Sequence, residues 1–370
     1  MKIAQFICVL SLLVWGKLSG QSYNIQTITN LSDTIAETSG LLFLNGRLFS
    51  HNDSGNDAII YEIDTTNGCI LNFSPIAGSG NTDWEDISCD DSFVYIGDFG
   101  NNNGTRKDLC IYKIGINRIL KNDTTLKAEK INFSFSNQTS FSSQPYTTNF
   151  DVEALSSIGN SLYIFTKNWG NNRCDVYRCS KNIGTYVLNK IDSFNSQGMI
   201  TGADYSAKDS LLALCGYTLD HPFVYIIKMK NQSGFDWQLA YKIDLVPQKQ
   251  IQMEGIAFEK SGNCYISNEK FSSPAKLQKI HFSLNPVTWI SEISHSASVF
   301  PNPCADQITI TSKEMIEAVS IYNSMGQKVS AMNVNGFEVY LSLEKYQKGI
   351  YHLHVLYEDG KYGFIKILKN

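Results

Sequence analysis

Glu153 to Cys179 reads EALSSIGNSLYIFTKNWGNNRCDVYRC. An acid opens a short apolar strand, a turn follows, a second strand runs into an Asn- and Gly-rich loop, and a compact third strand closes the unit. The same three parts recur along the chain. The opening strand reappears as SGLLFL from Ser39, EDISCD from Glu85, TGADYS from Thr201 and EGIAFE from Glu254. The second strand and its loop reappear as LFSHNDSGN, YIGDFGNNNG, LALCGYTLD and YISNEKFSS. The third reappears as IYEI at Ile60, IYKI at Ile111, VYII at Val224 and LQKI at Leu277. Periods near fifty residues signal repeat architectures, and they decide the fold before any local assignment does.

Strands rich in β-branched and aromatic residues, punctuated by Gly, Asn, Asp and Ser, are what antiparallel hairpins require. A fourth strand follows the third in most units, as KINFSFS at Lys130 and QLAYKIDL at Gln238. Four antiparallel strands repeated around an axis make a propeller blade. The pattern therefore predicts an all-β chain: a β-propeller of five four-stranded blades over residues 22–292. A degenerate sixth could be assembled from YNIQTITNL at Tyr23 and PVTWISEI around Val287, or those two segments could together close the last blade. A two-sheet sandwich is the competing arrangement, but it does not explain why all three parts recur in order. The insertion NQTSFSSQPYTTNF before the third unit is polar and predicts a surface loop covering part of one face.

In a propeller the first strand of each blade is innermost, and its start shares a rim with the end of the second strand. Glu85, Glu153 and Glu254 open three innermost strands and are expected to converge on the central channel. The second-strand ends bring His51, Asn52, Asp53, Asp98, Asn101, Lys167, Trp169, Asn268 and Lys270 to the same rim. Carboxylates gathered on one axis repel one another, which raises their pKa values or draws in a cation. Oxygen ligands of this kind suit Ca²⁺ or Mg²⁺ and not zinc, so Glu85, Glu153 and Glu254 are the candidate metal ligands. Lys167 and Lys270 offer an internal alternative, neutralising two carboxylates without a metal. A third is purely structural: a recurrent acid accepting backbone N–H bonds from the next blade and tying the ring together. Of the two histidines in rim loops, His51 and His221, His51 is the better candidate general base.

The chain's 370 residues, 43% of them hydrophobic and 18% charged, leave room for more than one folded unit. A net charge of −4 and a pI of about 5.9 give no basic footprint for nucleic acid. Residues 1–20 have the form of a secretion signal: Lys2, an apolar run from Ile3 to Trp15, and a small-residue end at Ser19 and Gly20. That run is too short to span a bilayer, so no membrane span is expected in the mature chain. Of nine cysteines, Cys8 would leave with the signal. The remaining eight could pair in an oxidising compartment or lie buried as small hydrophobes. None has a zinc-site spacing.

After a linker at 293–296 the pattern changes, and residues 297–370 carry FPNPCADQITI, AVSIYNSMGQKV and KGIYHLHVLYEDGKYGFIKILKN. Alternating strands separated by Pro-Asn-Pro and by turns at Asn323–Gly326 and Tyr357–Gly360 predict a small β-sandwich. These motifs closely resemble the C-terminal sorting domain of the type IX secretion system of Bacteroidetes. The resemblance implies export through the periplasm, passage across the outer membrane by the type IX secretion machinery, and a passenger that is released or attached to the cell surface. Within the propeller region TDWEDI at Thr82, YIGDFGNN at Tyr95, FDVEAL at Phe150 and FTKNW at Phe165 resemble exported propellers of the phytase-like esterase and gluconolactonase type. In gluconolactonase relatives a channel acid helps hold a divalent metal, a place that Glu85, Glu153 or Glu254 would take.

Three functions fit these features. The rim favours a ligand- or cation-binding module for a small molecule, glycan or peptide, because it is rich in Asn and Asp yet lacks a recognisable nucleophile. The alternative is a calcium-dependent hydrolase acting on an ester, lactone or phosphoester. A scaffold without ligand is the third.

Overall fold

The computed structural model describes residues 23–229, 234–237, 240–246, 248, 251–260, 262–282, 297–323, 328–358 and 362–370. The secretion-signal segment, the stretch around Val287, the linker 293–296 and most of the two C-terminal turns lie outside the described residues. Two compact units emerge, one spanning Tyr23–Phe282 and the other containing the residues from 297 onward.

The first unit is a propeller of five sheets. Reading outward from the axis, the first blade runs Thr38–Leu44, Arg47–Asn52, Ile59–Ile63, Ile70–Ala77. The second runs Trp84–Cys89, Phe93–Asp98, Cys110–Gly115, Glu129–Phe135, and the third Val152–Ile158, Ser161–Thr166, Cys174–Ser180, Lys190–Phe194. The fourth is Met199–Ser206, Leu211–Tyr217, Pro222–Lys228, Tyr241–Asp244. The fifth takes Met253–Lys260, Asn263–Asn268 and Lys276–Phe282 from its own stretch of chain, and its outer strand is the N-terminal Tyr23–Asn30. The N-terminal segment thus closes the last blade and does not begin a sixth. Two short strands cross between blades, which the repeat did not predict: Leu126–Lys127 pairs parallel to the outer strand of the first blade, and Gly184–Leu188 parallel to that of the second. The second crossing is held by Leu188, which joins Phe133, Phe135 and Tyr177 in one core cluster.

The innermost strands neighbour one another around the axis, and each carries a bulge near its start. Pairing with the second strand skips Glu85 in the second blade, Glu153 in the third, Thr201 in the fourth and Glu254 in the fifth, while the first blade skips Ser39 and Gly40. A bulge adds an unpaired residue and re-aims its side chain. Small residues beside the bulges admit the next blade: a Cβ on Gly202 would lie 2.4 Å from the carbonyl oxygen of Glu254. The blades are then tied by side chains. Ser39 Oγ donates to the Glu85 carbonyl at 2.6 Å, and Thr201 Oγ1 to that of Met253 at 2.5 Å. Fully buried Asp86 accepts from the backbone N–H groups of Ile87, Leu155 and Ala203 at 2.8, 2.8 and 3.0 Å, joining three blades. Asp204 accepts from Tyr205 at 2.8 Å and from Phe258, in the fifth blade, at 2.7 Å. The ring-tying role belongs to these aspartates.

The eight described cysteines are all free; six are buried and Cys69 is exposed. Among the described residues no helix is long and apolar enough to cross a membrane. The C-terminal unit is a small sandwich built on one long strand, Gln307–Asn323. It pairs with Ser298–Phe300 through Thr309 to Thr311 and with Gly349–Tyr357 from Ile316 onward, with its register broken between Thr311 and Ile316. Ile308, Ile310, Val319, Ile321, Leu353 and Val355 form its core.

Asp86→Ala would strip the acceptor from three buried N–H groups. At about 1–3 kcal/mol for each buried group left unpaired, the propeller is expected to lose at least ~3 kcal/mol, measured as the shift of its urea or thermal midpoint. Unchanged stability would show that Asp86 does not tie the ring.

Candidate functional site

The bulges and loops meet at one mouth of the channel, in a cavity of about 150 Å³. Ser39, Glu85, Glu153 and Glu254, four of the residues skipped at bulges, line it. So do Asp53, Asn102, Tyr146, Lys167, Trp169, Tyr217, Gln252 and Glu269 from the surrounding loops. A larger depression of about 350 Å³ lies beside Phe194, Tyr225 and Trp237. There Trp237 already stacks on Phe194 at 3.8 Å, and Lys242 is the one charged group lining it among the described residues. The smaller, polar cavity is the better site.

Its tightest group of ligand atoms is contributed by Asp53, Asp83 and Glu85, each offering a carboxylate oxygen within 4.8 Å of the others. The local fold forces this meeting. Asn81 donates to the carbonyls of Asn52 and Asp53 at 3.0 and 2.7 Å and accepts from Trp84 N–H at 3.0 Å, drawing the first blade's loop onto the second's. Asp98 accepts from Asp83 N–H at 3.2 Å and pairs with Arg106 at 2.9 Å, while Arg106 also holds the Gly100 carbonyl at 3.0 Å. Gly100 presses its backbone against the group: a Cβ there would fall 2.0 Å from Glu85 Oε1 and 2.4 Å from Asp83 Oδ2. The cradle therefore requires glycine at this position.

Buried Lys167, also in the lining, pairs with Glu153 at 3.2 Å and sits 4.9 Å from the Trp169 ring and 5.3 Å from that of Tyr217. Asp151 holds the Trp169 indole N–H at 2.7 Å. Tyr146 comes from the polar insertion, which reaches the mouth and sets this ring edge-on to Trp169 at 5.1 Å. Gln252 donates to the Tyr217 hydroxyl at 3.0 Å. Glu254 is buried, and its Oε2 has no hydrogen-bond partner among the described residues.

Too many carboxylates share too little solvent. Burial, then Asp83, pushes Asp53 up to about 6. Burial, then Asp151, does the same to Asp83. Burial, reinforced by Glu153 and Asp53, pushes Glu85 well above the usual range. Glu269 rises to about 7 through burial and then Asp53, and Glu254 to about 8 chiefly through burial, partly countered by Lys167. Burial alone would lower Lys167, but Glu153 and the other acids outweigh it and hold its ammonium protonated.

Three of the rim residues expected from sequence, Asp53, Lys167 and Trp169, line the cavity. Asp98 and Asn101 stand behind the wall as loop braces, Asn101 accepting from Arg106 N–H at 2.9 Å. Asn52 donates to the Thr34 carbonyl and Asn268 to that of Pro274, and exposed Lys270 pairs with Asp33. Glu85, Glu153 and Glu254 all reach the cavity, but the group at ligand spacing combines Glu85 with Asp53 and Asp83. His51, the candidate general base, is absent from the lining. It is fully buried beside Gly40 and the edge of Trp84, its Nδ1–H donating to the Asn52 carbonyl, and burial depresses its pKa to about 4. Sequence reasoning missed Ser39, Tyr146, Tyr217 and Gln252 as lining residues. Gln252 lies two residues before Glu254, close enough for the repeat to have flagged it.

Residues 298–369 match the model of the secretion system C-terminal sorting domain, which directs export by type IX secretion to the cell surface or medium. No curated protein matches the sequence. Among solved structures, the chain is similar to PorZ, a surface component of the type-IX secretion system of Porphyromonas gingivalis (11% identity, TM-score 0.35). The alignment covers 90% of this chain and 45% of PorZ. It is also similar to an exo-β-1,3-galactanase from Phanerochaete chrysosporium, at 11% identity and TM-score 0.41 over 93% of this chain and 100% of that one. The extracellular domain of BT4673 from B. thetaiotaomicron matches at 8% identity and TM-score 0.32, over 95% and 59% of the two chains.

Carboxyls with raised folded-state pKa values bind more protons folded than unfolded, so stability falls as pH rises through those values. Without divalent cations, the propeller is expected to lose stability from roughly pH 4, the unfolded carboxyl value, up to about 8, the Glu254 value. Glu85→Gln removes one repelling charge and should raise the melting temperature at the alkaline end of that range. A melting temperature that rises with pH in chelator, or a Gln variant that melts lower, would contradict the electrostatic description.

Proposed function

We propose that the exported propeller is a binding module whose channel mouth holds a hard divalent cation, Ca²⁺ foremost, on Asp53, Asp83 and Glu85. One observation carries this: three carboxylates from two blades, held within 4.8 Å of one another, where the nearby Arg106 and Lys167 offset their repulsion only in part. A dication would offset the repulsion that raises their proton affinities. Ca²⁺ accepts mixed carboxylate and carbonyl oxygens in flexible geometry, which loops from two blades can provide more readily than the strict octahedron Mg²⁺ requires. Lys167 pairs directly with Glu153 and only weakly offsets the charge of Asp53, which remains available to the ion.

Binding is favoured over hydrolysis by the state of the lining groups. The Ser39 hydroxyl already donates to the Glu85 carbonyl, and His51 is buried away from the cavity. A metal-assisted hydrolase would need the cation both to activate water and to polarise the substrate, with no side-chain nucleophile supporting it.

Calcium titration by calorimetry, with melting curves in calcium and in chelator, tests the proposal. Saturating Ca²⁺ is expected to raise the melting temperature; at a hundredfold excess over Kd the gain is about 2.7 kcal/mol. Because bound carboxylates must lose their protons, affinity should climb as pH rises to about 6, the Asp53 and Asp83 values, by about tenfold per pH unit for each proton released, and less steeply above it while Glu85 still holds its proton. Asp53→Asn and Glu85→Gln should each abolish the heat. If chelator leaves the melting temperature unchanged and no metal copurifies, the proposal fails; calcium-dependent turnover of an ester or lactone panel would favour the hydrolase instead.

A further inference from the structure

We infer that the part of the cavity lined by Glu254 and Glu269 takes a primary ammonium on an alkyl stem, the lysine side chain of a protein partner. This goes beyond the cation proposal and uses other residues. Five lining residues are acidic and Lys167 is the one basic one. Counting Asp83, six carboxylates face one ammonium, and a dication would still leave three negative charges unmatched when all are ionised. Lys167 pairs with Glu153 and a dication offsets two of the charges on Asp53, Asp83 and Glu85, so two of the three unmatched charges lie on Glu254 and Glu269. Glu254 presents a buried oxygen, Oε2, with no partner, so a donor is wanted there. The walls suit an ammonium, since the rings of Trp169 and Tyr217 already accommodate that of Lys167 at 4.9 and 5.3 Å.

Surroundings identify the source. The cavity, of about 150 Å³, has room for the end of a lysine side chain. Around its mouth three loops expose large apolar side chains: Tyr146 at 65%, Leu219 at 88% and Phe271 at 74%. Leu219 lies two residues after the lining Tyr217, and Phe271 two after the lining Glu269. An acidic hole with an apolar collar is complementary to a lysine flanked by apolar residues on a protein surface.

The test titrates the full chain with the peptide acetyl-Leu-Lys-Leu-amide, its ε-acetylated form and n-butylamine, each with calcium and with chelator, near pH 8. The peptide should bind saturably, at least about tenfold more tightly than butylamine, and acetylation should abolish binding. Glu254→Gln should weaken both amines about tenfold, with the melting curve checking that the variant folds. The pair Leu219→Ser and Phe271→Ser should weaken the peptide alone. Equal binding of the acetylated peptide, or no saturable amine binding, overturns the inference. Butylamine binding as tightly as the peptide overturns the protein partner. Calcium heat without amine binding sinks this inference alone, and amine binding without calcium heat sinks the cation proposal alone.

Discussion

Five strands cannot share an axis unless their backbone groups are satisfied across blade boundaries, and the acceptors on Asp86 and Asp204 provide that. Asp86 draws N–H groups from three blades onto one carboxyl. Its burial is tolerable because a carboxyl that accepts several backbone N–H bonds recovers much of its lost hydration. Everything at the mouth depends on this fixed ring. With the strand bodies locked just beyond, the bulges have one direction in which to send their extra residue, and the glutamates they carry are held near one another despite mutual repulsion.

The same ring explains the division of labour among acids. At the second blade two adjacent residues take opposite roles: Glu85, at the bulge, faces the cavity, while Asp86, back in register, binds backbone. Side chains alternate along a strand, so one bulge suffices to place a functional acid beside a structural one. Lys167 brings the compensating charge from the end of a second strand, and Trp169 and Tyr217 shield it. The outcome is a site whose charge balance is left incomplete, with Glu254 Oε2 unpaired among the described residues.

The propeller, its strand order and the channel-facing glutamates were legible in the sequence, because strand alternation and a repeating opening acid survive as patterns of residue type, whereas the choice between five and six blades turned on the pairing of Tyr23–Asn30 with Lys276–Phe282. The cation cradle was harder. Asp83 stands beside Glu85 in sequence, but that its partner is Asp53 depends on Asn81 bridging two loops, an interaction without a repeat signature. His51 looked functional in HNDSGN for its neighbours' polarity, yet strand alternation turns its ring inward against Trp84. The crossing strands at Leu126 and Gly184 were invisible because parallel pairing at a blade's outer edge needs few residues and no turn. Tyr146 was unreadable for another reason: an insertion has no counterpart in other blades against which to align it.

The strand that completes the fifth blade comes from the opposite end of the unit: Tyr23–Asn30 lies against Lys276–Phe282. Until Phe282 is available, the first strand has no template and the ring is an open arc. Closure is thus a late, long-range event, slow by the entropy of the loop it must shut. In a crowded export path, the same free strand could find the arc of a neighbouring copy before its own. Such an exchange would preserve every backbone pairing while linking molecules head to tail, so the fold's means of sealing itself is also its most direct route to misassembly.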